Sequence, residues 1–126
     1  MAAVRQMALA PTSGNDVIQG YATNDTIMGG EGNDTLHGYG GNDLLQGDEG
    51  DDTLFAGAGH DVLEGGGGAD SLRGDGGDDV LHGGLGNDFL EGGAGSDTYI
   101  FNAGDGQDTI SNYDGDDSRV DVLALG

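Results

Sequence analysis

An aspartate returns every nine residues through most of this chain. Asp16, Asp25, Asp34, Asp43, Asp52, Asp61, Asp70, Asp79, Asp88 and Asp97 stand in unbroken register. Two residues after each comes a large apolar residue: Ile18, Ile27, Leu36, Leu45, Leu54, Leu63, Leu72, Leu81, Leu90 and Tyr99. Two residues before each comes a glycine, except at Thr23. The unit is G-G-x-G-x-D-x-U-x, with U large and apolar. Its fullest copies are "GGEGNDTLH" (29–37), "GGGGADSLR" (65–73), "GGLGNDFLE" (83–91) and "GGAGSDTYI" (92–100). The match is looser in "GYATNDTIM", where Tyr21 and Thr23 replace glycine, and Ala56 replaces the first glycine of another copy. So short a unit cannot bury a core by itself, and must stack on its neighbours.

Six residues, G-G-x-G-x-D, read as a turn. Glycine permits positive φ and close approach of the backbone to an ion. The residues just before the aspartate (Asn33, Asn42, Asp51, Asp78 and Asn87) are of types that tolerate left-handed conformations. The last three residues, x-U-x, read as a short strand with U inward and its neighbours outward. Val17, Thr26, Thr35, Thr53, Val62, Val80 and Thr98, each directly after a repeat aspartate, are β-branched, as a pleated surface favours.

Charge makes the stacking conditional. The chain has 126 residues, 29 of them glycine, with 24 acidic residues against three arginines (Arg5, Arg73 and Arg119) and no lysine, for a formal charge of −21. Nucleic acid and anionic membrane surfaces both need clustered basic residues, so neither is an expected partner. High charge with modest apolar content favours disorder, so folding requires something that neutralises carboxylates. A multivalent cation is the natural candidate. Cysteine is absent, which excludes disulfides and thiolate metal sites. No apolar run is long enough for a membrane span, and "MAAVRQMALA" is too short for a secretory signal core.

The nonapeptide resembles the calcium-binding repeat of the RTX (repeats-in-toxin, haemolysin-type) family, over about residues 13–100. The resemblance implies an all-β fold: a right-handed parallel β-roll, a β-solenoid whose nine-residue repeats alternate between two short-stranded parallel sheets, with calcium between stacked turns. Two repeats make one coil, so each turn stacks on the next but one, about 4.8 Å away. The aspartates then form two columns, Asp16, Asp34, Asp52, Asp70 and Asp88 in one, Asp25, Asp43, Asp61, Asp79 and Asp97 in the other. Like charges so close repel unless a cation lies between them. Calcium takes six to eight hard oxygen ligands, whereas magnesium prefers smaller octahedral sites.

The family's sites imply that each flanking turn gives a carboxylate plus turn oxygens. Those turns comprise Gly29, Gly30, Glu31 and Gly32; Gly38, Gly40 and Gly41; Gly47, Asp48, Glu49 and Gly50; Ala56, Gly57, Ala58 and Gly59; Gly65, Gly66, Gly67 and Gly68; Gly74, Asp75, Gly76 and Gly77; Gly83, Gly84, Leu85 and Gly86; and Gly92, Gly93, Ala94 and Gly95. Two columns enclose eight intervals, and Asp108, eleven residues past Asp97, is a candidate to close a ninth. About eight ions would leave a net charge of about −5 from the formal −21.

The expected organisation is an N-terminal cap or tail (1–12), the roll (13–100) and a C-terminal capping segment (101–126), in which "VDVLAL" (120–125) is a candidate covering strand. Evenly repeated carboxylates without a unique pair favour ion ligation over acid–base catalysis. His37, His60 and His82 are placed on opposite sheets and in a turn, and read as solvated residues rather than a zinc site. No G-x-S-x-G, P-loop, EF-hand loop or dinucleotide motif occurs. Tyr39, Phe55, Phe89 and Phe101 are either packing residues or partner contacts. Arg73 and Glu91, one coil apart, should form a surface ion pair. Thr35, Thr53 and Ser71 form a short outward ladder that Phe89 interrupts, too brief for an ice-binding face.

The expected function is that of a non-catalytic calcium-binding module that folds on binding. The resemblance further implies export by a type I secretion apparatus from a Gram-negative bacterium, and folding outside the cell. Two alternatives stay open: an accessory module of a secreted protease, lipase or polysaccharide-modifying enzyme, and a calcium-dependent adhesin that self-associates through coil ends.

Overall fold

The alternation of U with outward residues becomes a stack of short strands. A computed structural model describes residues 14–101, 106–111 and 122–125. Its strands are β1 (Val17–Gln19), β2 (Thr26–Glu31), β3 (Thr35–His37), β4 (Leu44–Glu49), β5 (Thr53–Phe55), β6 (Val62–Gly66), β7 (Ser71–Arg73), β8 (Val80–Gly84), β9 (Phe89–Glu91), β10 (Thr98–Phe101), β11 (Thr109–Ser111) and β12 (Val122–Leu125). No helix occurs among the described residues. Odd-numbered strands form one six-stranded parallel sheet in the order β1-β3-β5-β7-β9-β11, and even-numbered strands form the other, β2-β4-β6-β8-β10-β12. The β-roll expected from the repeat is the fold observed.

Register follows the repeat. Leu36 pairs with Leu54, Leu54 with Leu72 and Leu72 with Leu90, each 18 residues on. The U side chains of the two sheets meet between them. Ile27, Leu36, Leu45, Leu54, Leu63, Leu72, Leu81 and Leu90 are all 0% exposed. Burying each contributes about 1.5–3 kcal/mol, so the single file of leucines is the hydrophobic part of the fold. At the C-terminal end Tyr99 fills the U position, and its hydroxyl oxygen accepts the Gly92 N–H at 2.9 Å.

The strands are not all three residues long. Those of the odd sheet are, but β2 and β4 run for six residues and β6 and β8 for five. There the ladder continues into the turn: Gly67 N–H donates to the Asp48 carbonyl at 3.0 Å, and Gly50 N–H to the Gly67 carbonyl at 3.2 Å. The six-residue turn read from the repeat is therefore part strand on that side.

Beyond residue 100 the chain still adds to both sheets. β11 pairs with β9, placing Ile110 beside Leu90, and β12 pairs in parallel with β10. The covering strand expected in 120–125 is present as β12. Residues 1–12, including Arg5, and Arg119 lie outside the described residues.

Two of the four aromatics read as packing residues or partner contacts, Tyr39 and Phe55, join a ring stack beside the odd sheet. His37 stacks on Phe55 at 5.0 Å and on Tyr39 at 5.6 Å between ring centroids. The Arg73 guanidinium lies 5.9 Å from the Phe55 ring centroid, and its Nε stands 3.6 Å from Glu91 Oε1. The expected ion pair thus forms, at the end of a stack. His37 is not simply solvated, because this stack half-buries it.

Candidate metal centre

Stacking at 18 residues brings the repeat aspartates into the two expected columns. The surprise is how completely they are buried: Asp34, Asp61 and Asp79 are 1% exposed. From Asp34 and Asp43 onward, one carboxylate oxygen of each accepts a backbone N–H of the coil before. Asp16 N–H donates to Asp34 Oδ1 at 2.7 Å, and the same bond recurs from Asp34 to Asp52, Asp52 to Asp70 and Asp70 to Asp88. In the second column it links Asp25 to Asp43, Asp43 to Asp61, Asp61 to Asp79 and Asp79 to Asp97.

Asp108 joins the first column. Its Oδ1 accepts the Asp88 N–H at 2.9 Å across a spacing of 20 rather than 18. Gly106, with φ of 98°, serves as the turn glycine two residues before it. The longer preceding segment is absorbed without losing register, and the first column gains a sixth carboxylate.

The second oxygen is the chemically informative one. Among the described residues, Oδ2 of Asp34, Asp43, Asp52, Asp61, Asp70, Asp79 and Asp108 is buried with no hydrogen-bond partner. An unsatisfied buried acceptor costs about 1–3 kcal/mol, and more when charged. Seven of them rival the whole net stability of a domain, about 5–15 kcal/mol. What such an oxygen lacks is a cation or a proton. Asp25, in the loosest repeat, differs: its Oδ2 accepts Tyr21 N–H and its Oδ1 the Thr23 hydroxyl, both at 2.8 Å. Where glycines are missing, the turn satisfies its own carboxylate.

The first glycine of the unit makes room for that oxygen. A Cβ placed on Gly29 would stand 2.6 Å from Asp34 Oδ2 and 2.9 Å from the Gly47 carbonyl oxygen. On Gly47 it would stand 2.5 Å from Asp52 Oδ2 and 2.8 Å from the Gly65 carbonyl. A carboxylate oxygen and a carbonyl oxygen of the next coil thus face one point, and only a residue without a side chain leaves it open. The fourth-position glycine has another reason. Gly50 has φ of 118°, and a Cβ there would collide with the Gly32 carbonyl of the coil before.

Among the described residues no three His, Cys, Asp or Glu side chains converge on one metal position. Side chains alone therefore cannot complete a shell, and carbonyl oxygens must contribute. A donor set of carboxylate and carbonyl oxygen, without nitrogen or sulfur, suits a hard cation of high coordination number, which is calcium. His60 lies in a turn, with its Nδ1 accepting Asp78 N–H at 3.0 Å, while His37 and His82 lie on different sheets.

Burial is also the main influence on acidity. It pushes Asp43 and Asp52 up to about 7, Asp61 to about 6, and Asp70 and Asp79 to about 8, from an ordinary 3.8. The backbone hydrogen bond to each opposes this, while charged neighbours, mostly in the same column, add to it. At Asp61 the neighbouring charges oppose one another, His60 lowering the value and Asp75 raising it. Asp34 is raised for the same leading reason.

The residues before the aspartates have a role that the sequence reading missed. None of Asn33, Asn42, Asp51, Asp78 or Asn87 has positive φ; among the described residues the non-glycine residues that do are Tyr39, Asp48 and Asp75, at the second position of the unit. Instead, Asn15 Oδ1 accepts Asn33 N–H at 2.7 Å and Asn33 Oδ1 accepts Asp51 N–H at 2.8 Å. Asn24, Asn42, Asp51, Asp78 and Asn87 continue this outer ladder. The signal was the recurrence of short acceptors at one position, which suits a bond between coils as well as a left-handed turn.

These features define a parallel β-solenoid whose turns line up oxygen ligands for a hard cation. The family comparison agrees. The RTX calcium-binding nonapeptide repeat, taken four copies at a time, matches residues 12–36, 37–72 and 64–99. The chain belongs to the RTX calcium-binding nonapeptide repeat family, and it is a calcium-binding β-roll module. No curated protein matches the chain significantly. Among the described residues no helix is long and apolar enough to cross a membrane.

Proposed function

We propose that the module is a folding switch thrown by calcium. The observation that carries this is the file of buried, partnerless Oδ2 atoms inside the stack. As carboxylates they oppose the folded state, and with calcium on them they hold it together. An ion that binds only the folded chain converts its binding free energy into folding free energy. Extracellular calcium sites work with dissociation constants of about 10⁻⁴–10⁻³ M. The chain would then be extended at cytosolic calcium and folded outside. Family membership supports export by a type I secretion apparatus of a Gram-negative bacterium, as a structural part of a larger secreted protein.

In this reading the ligands are the column aspartates Asp16 to Asp97 with Asp108, together with turn oxygens of the flanking glycine-rich segments. Nine hydrogen bonds run from the backbone N–H of one column aspartate to the carboxylate of the next. They mark nine intervals, so the reading favours nine ions over eight. Residues 101–126 act as the cap, through β11 and β12. Small-angle scattering tests the switch. In chelator the radius of gyration should approach roughly 36 Å, the unfolded value for this length, and calcium should bring it toward roughly 14 Å. A compact particle in chelator would contradict it.

Self-association through coil ends has one observation in its favour. Among the described residues β1 and β2 are terminal strands of their sheets, at the same end of the stack. Calcium-dependent growth in light scattering would support it, and a concentration-independent monomer would not.

A further inference from the structure

The turn glycines that face the carboxylates are uniform except at one place. Gly20, Gly29, Gly38, Gly47, Gly65, Gly74, Gly83 and Gly92 each open the turn that ends on a repeat aspartate, and a Cβ on any of them would meet that aspartate's Oδ2 first. The turn that ends at Asp61 opens instead on Ala56, which is 0% exposed.

The backbone at Ala56 keeps the course of its neighbours. Its N–H donates to the Arg73 carbonyl at 2.9 Å, as Gly38 N–H does to Phe55 at 2.8 Å and Gly74 N–H to Glu91 at 2.9 Å. Its carbonyl oxygen stands 2.8 Å from a Cβ placed on Gly38, as the Gly92 carbonyl stands 2.9 Å from one on Gly74. The methyl group therefore takes the direction that a Cβ on Gly38 or Gly74 would take, toward the carboxylate oxygen. On Gly38 that Cβ would come within 2.5 Å of Asp43 Oδ2, whereas real Cβ atoms keep beyond 3.0 Å. In the Asp61 turn the carboxylate and the methyl must move apart by several tenths of an ångström. Asp61 Oδ2 is still buried and without a hydrogen-bond partner, so the displaced oxygen has not been given another role.

We propose that the turn ending at Asp61 holds a weaker calcium site than its column neighbours, the turns ending at Asp43 and Asp79, because the Ala56 methyl occupies the point that Gly38 and Gly74 leave open to ion ligands there. The inference rests on the calcium reading above. It sets one loose site in the middle of the second column, which fills after the sites that flank it.

The test is equilibrium dialysis with radioactive calcium on the whole chain and on Ala56→Gly. The variant should bind one more ion in the tight phase, with a lower half-saturation concentration. Glycine loosens a folded backbone, so a merely structural role for Ala56 moves half-saturation the other way. Gly74→Ala, which sets the same methyl against Asp79, should bind one ion fewer in the tight phase than the parent chain. If Ala56→Gly binds the same number of ions with unchanged or higher half-saturation, the proposal is overturned while calcium binding stands. If the parent chain binds no calcium, both readings fall together.

Discussion

At the scale of the residue, the two oxygens of one aspartate divide the work. Oδ1 holds the coils in register through a backbone N–H, and Oδ2 is the oxygen that the proposed function gives to calcium. Asp52→Asn separates these roles, because the amide oxygen can still accept the Asp34 N–H, the bond now 2.7 Å long. The variant should keep the register but weaken the sites on either side, toward Asp34 and Asp70. Calorimetry should show fewer ions bound and a higher calcium midpoint, and unchanged stoichiometry and affinity would break the column account. Acidity gives a second expectation. In the folded state without metal these carboxyls hold protons up to about 6–8, whereas the unfolded chain releases them near 3.8. Their raised values stabilise the metal-free fold fully below the unfolded value, and that contribution is lost as pH rises through about 6–8. Chelator-treated protein should therefore show more β-structure near pH 4 than near pH 8. With calcium the order reverses, since protons compete for the same oxygens: half-saturation should fall as pH rises from 5 to 8, with protons released on binding.

At the scale of the element, a strand of three residues is held by its inward leucine and by its neighbours in the stack. Leu54 lies between Leu36 and Leu72 and is fully buried, so Leu54→Ala should cost about 2–5 kcal/mol and raise the calcium concentration needed for folding. Arg73→Ala, which removes a half-exposed ion pair, should cost no more than about 1 kcal/mol in the same chemical denaturation measurement. Much of this level was legible in the sequence. The spacing of Asp and U residues gave the strands and the core, the family resemblance implied the register and the two columns, and Asp108, eleven residues past Asp97, stood out as a further candidate. What was hidden depends on the neighbouring coil. Whether Asn33 turns the chain or accepts a hydrogen bond depends on where Asp51 N–H lies, 18 residues away. Whether a turn is part strand depends on carbonyls such as that of Asp48. The first glycine was read, like the other turn glycines, as a source of backbone freedom and of close approach to an ion. Its reason is space beside a carboxylate, which shows only when both are placed.

At the scale of the whole molecule, the fold is a one-dimensional stack in which charge and core are interleaved. Each coil adds two leucines and two buried carboxylates, so lengthening the stack strengthens the core and the repulsion together. In the proposed switch calcium removes the repulsion and leaves the core, which reconciles a formal charge of −21 with a buried leucine interior. Among the described residues the sheets pair each coil with the next, so the stack should assemble by propagation along its length. The most direct test is far-UV circular dichroism of chelator-treated protein at pH 8 during a calcium titration, with magnesium as the control. The account predicts a disordered spectrum that turns cooperatively to β with calcium and not with magnesium. A full β spectrum already present in chelator would contradict it.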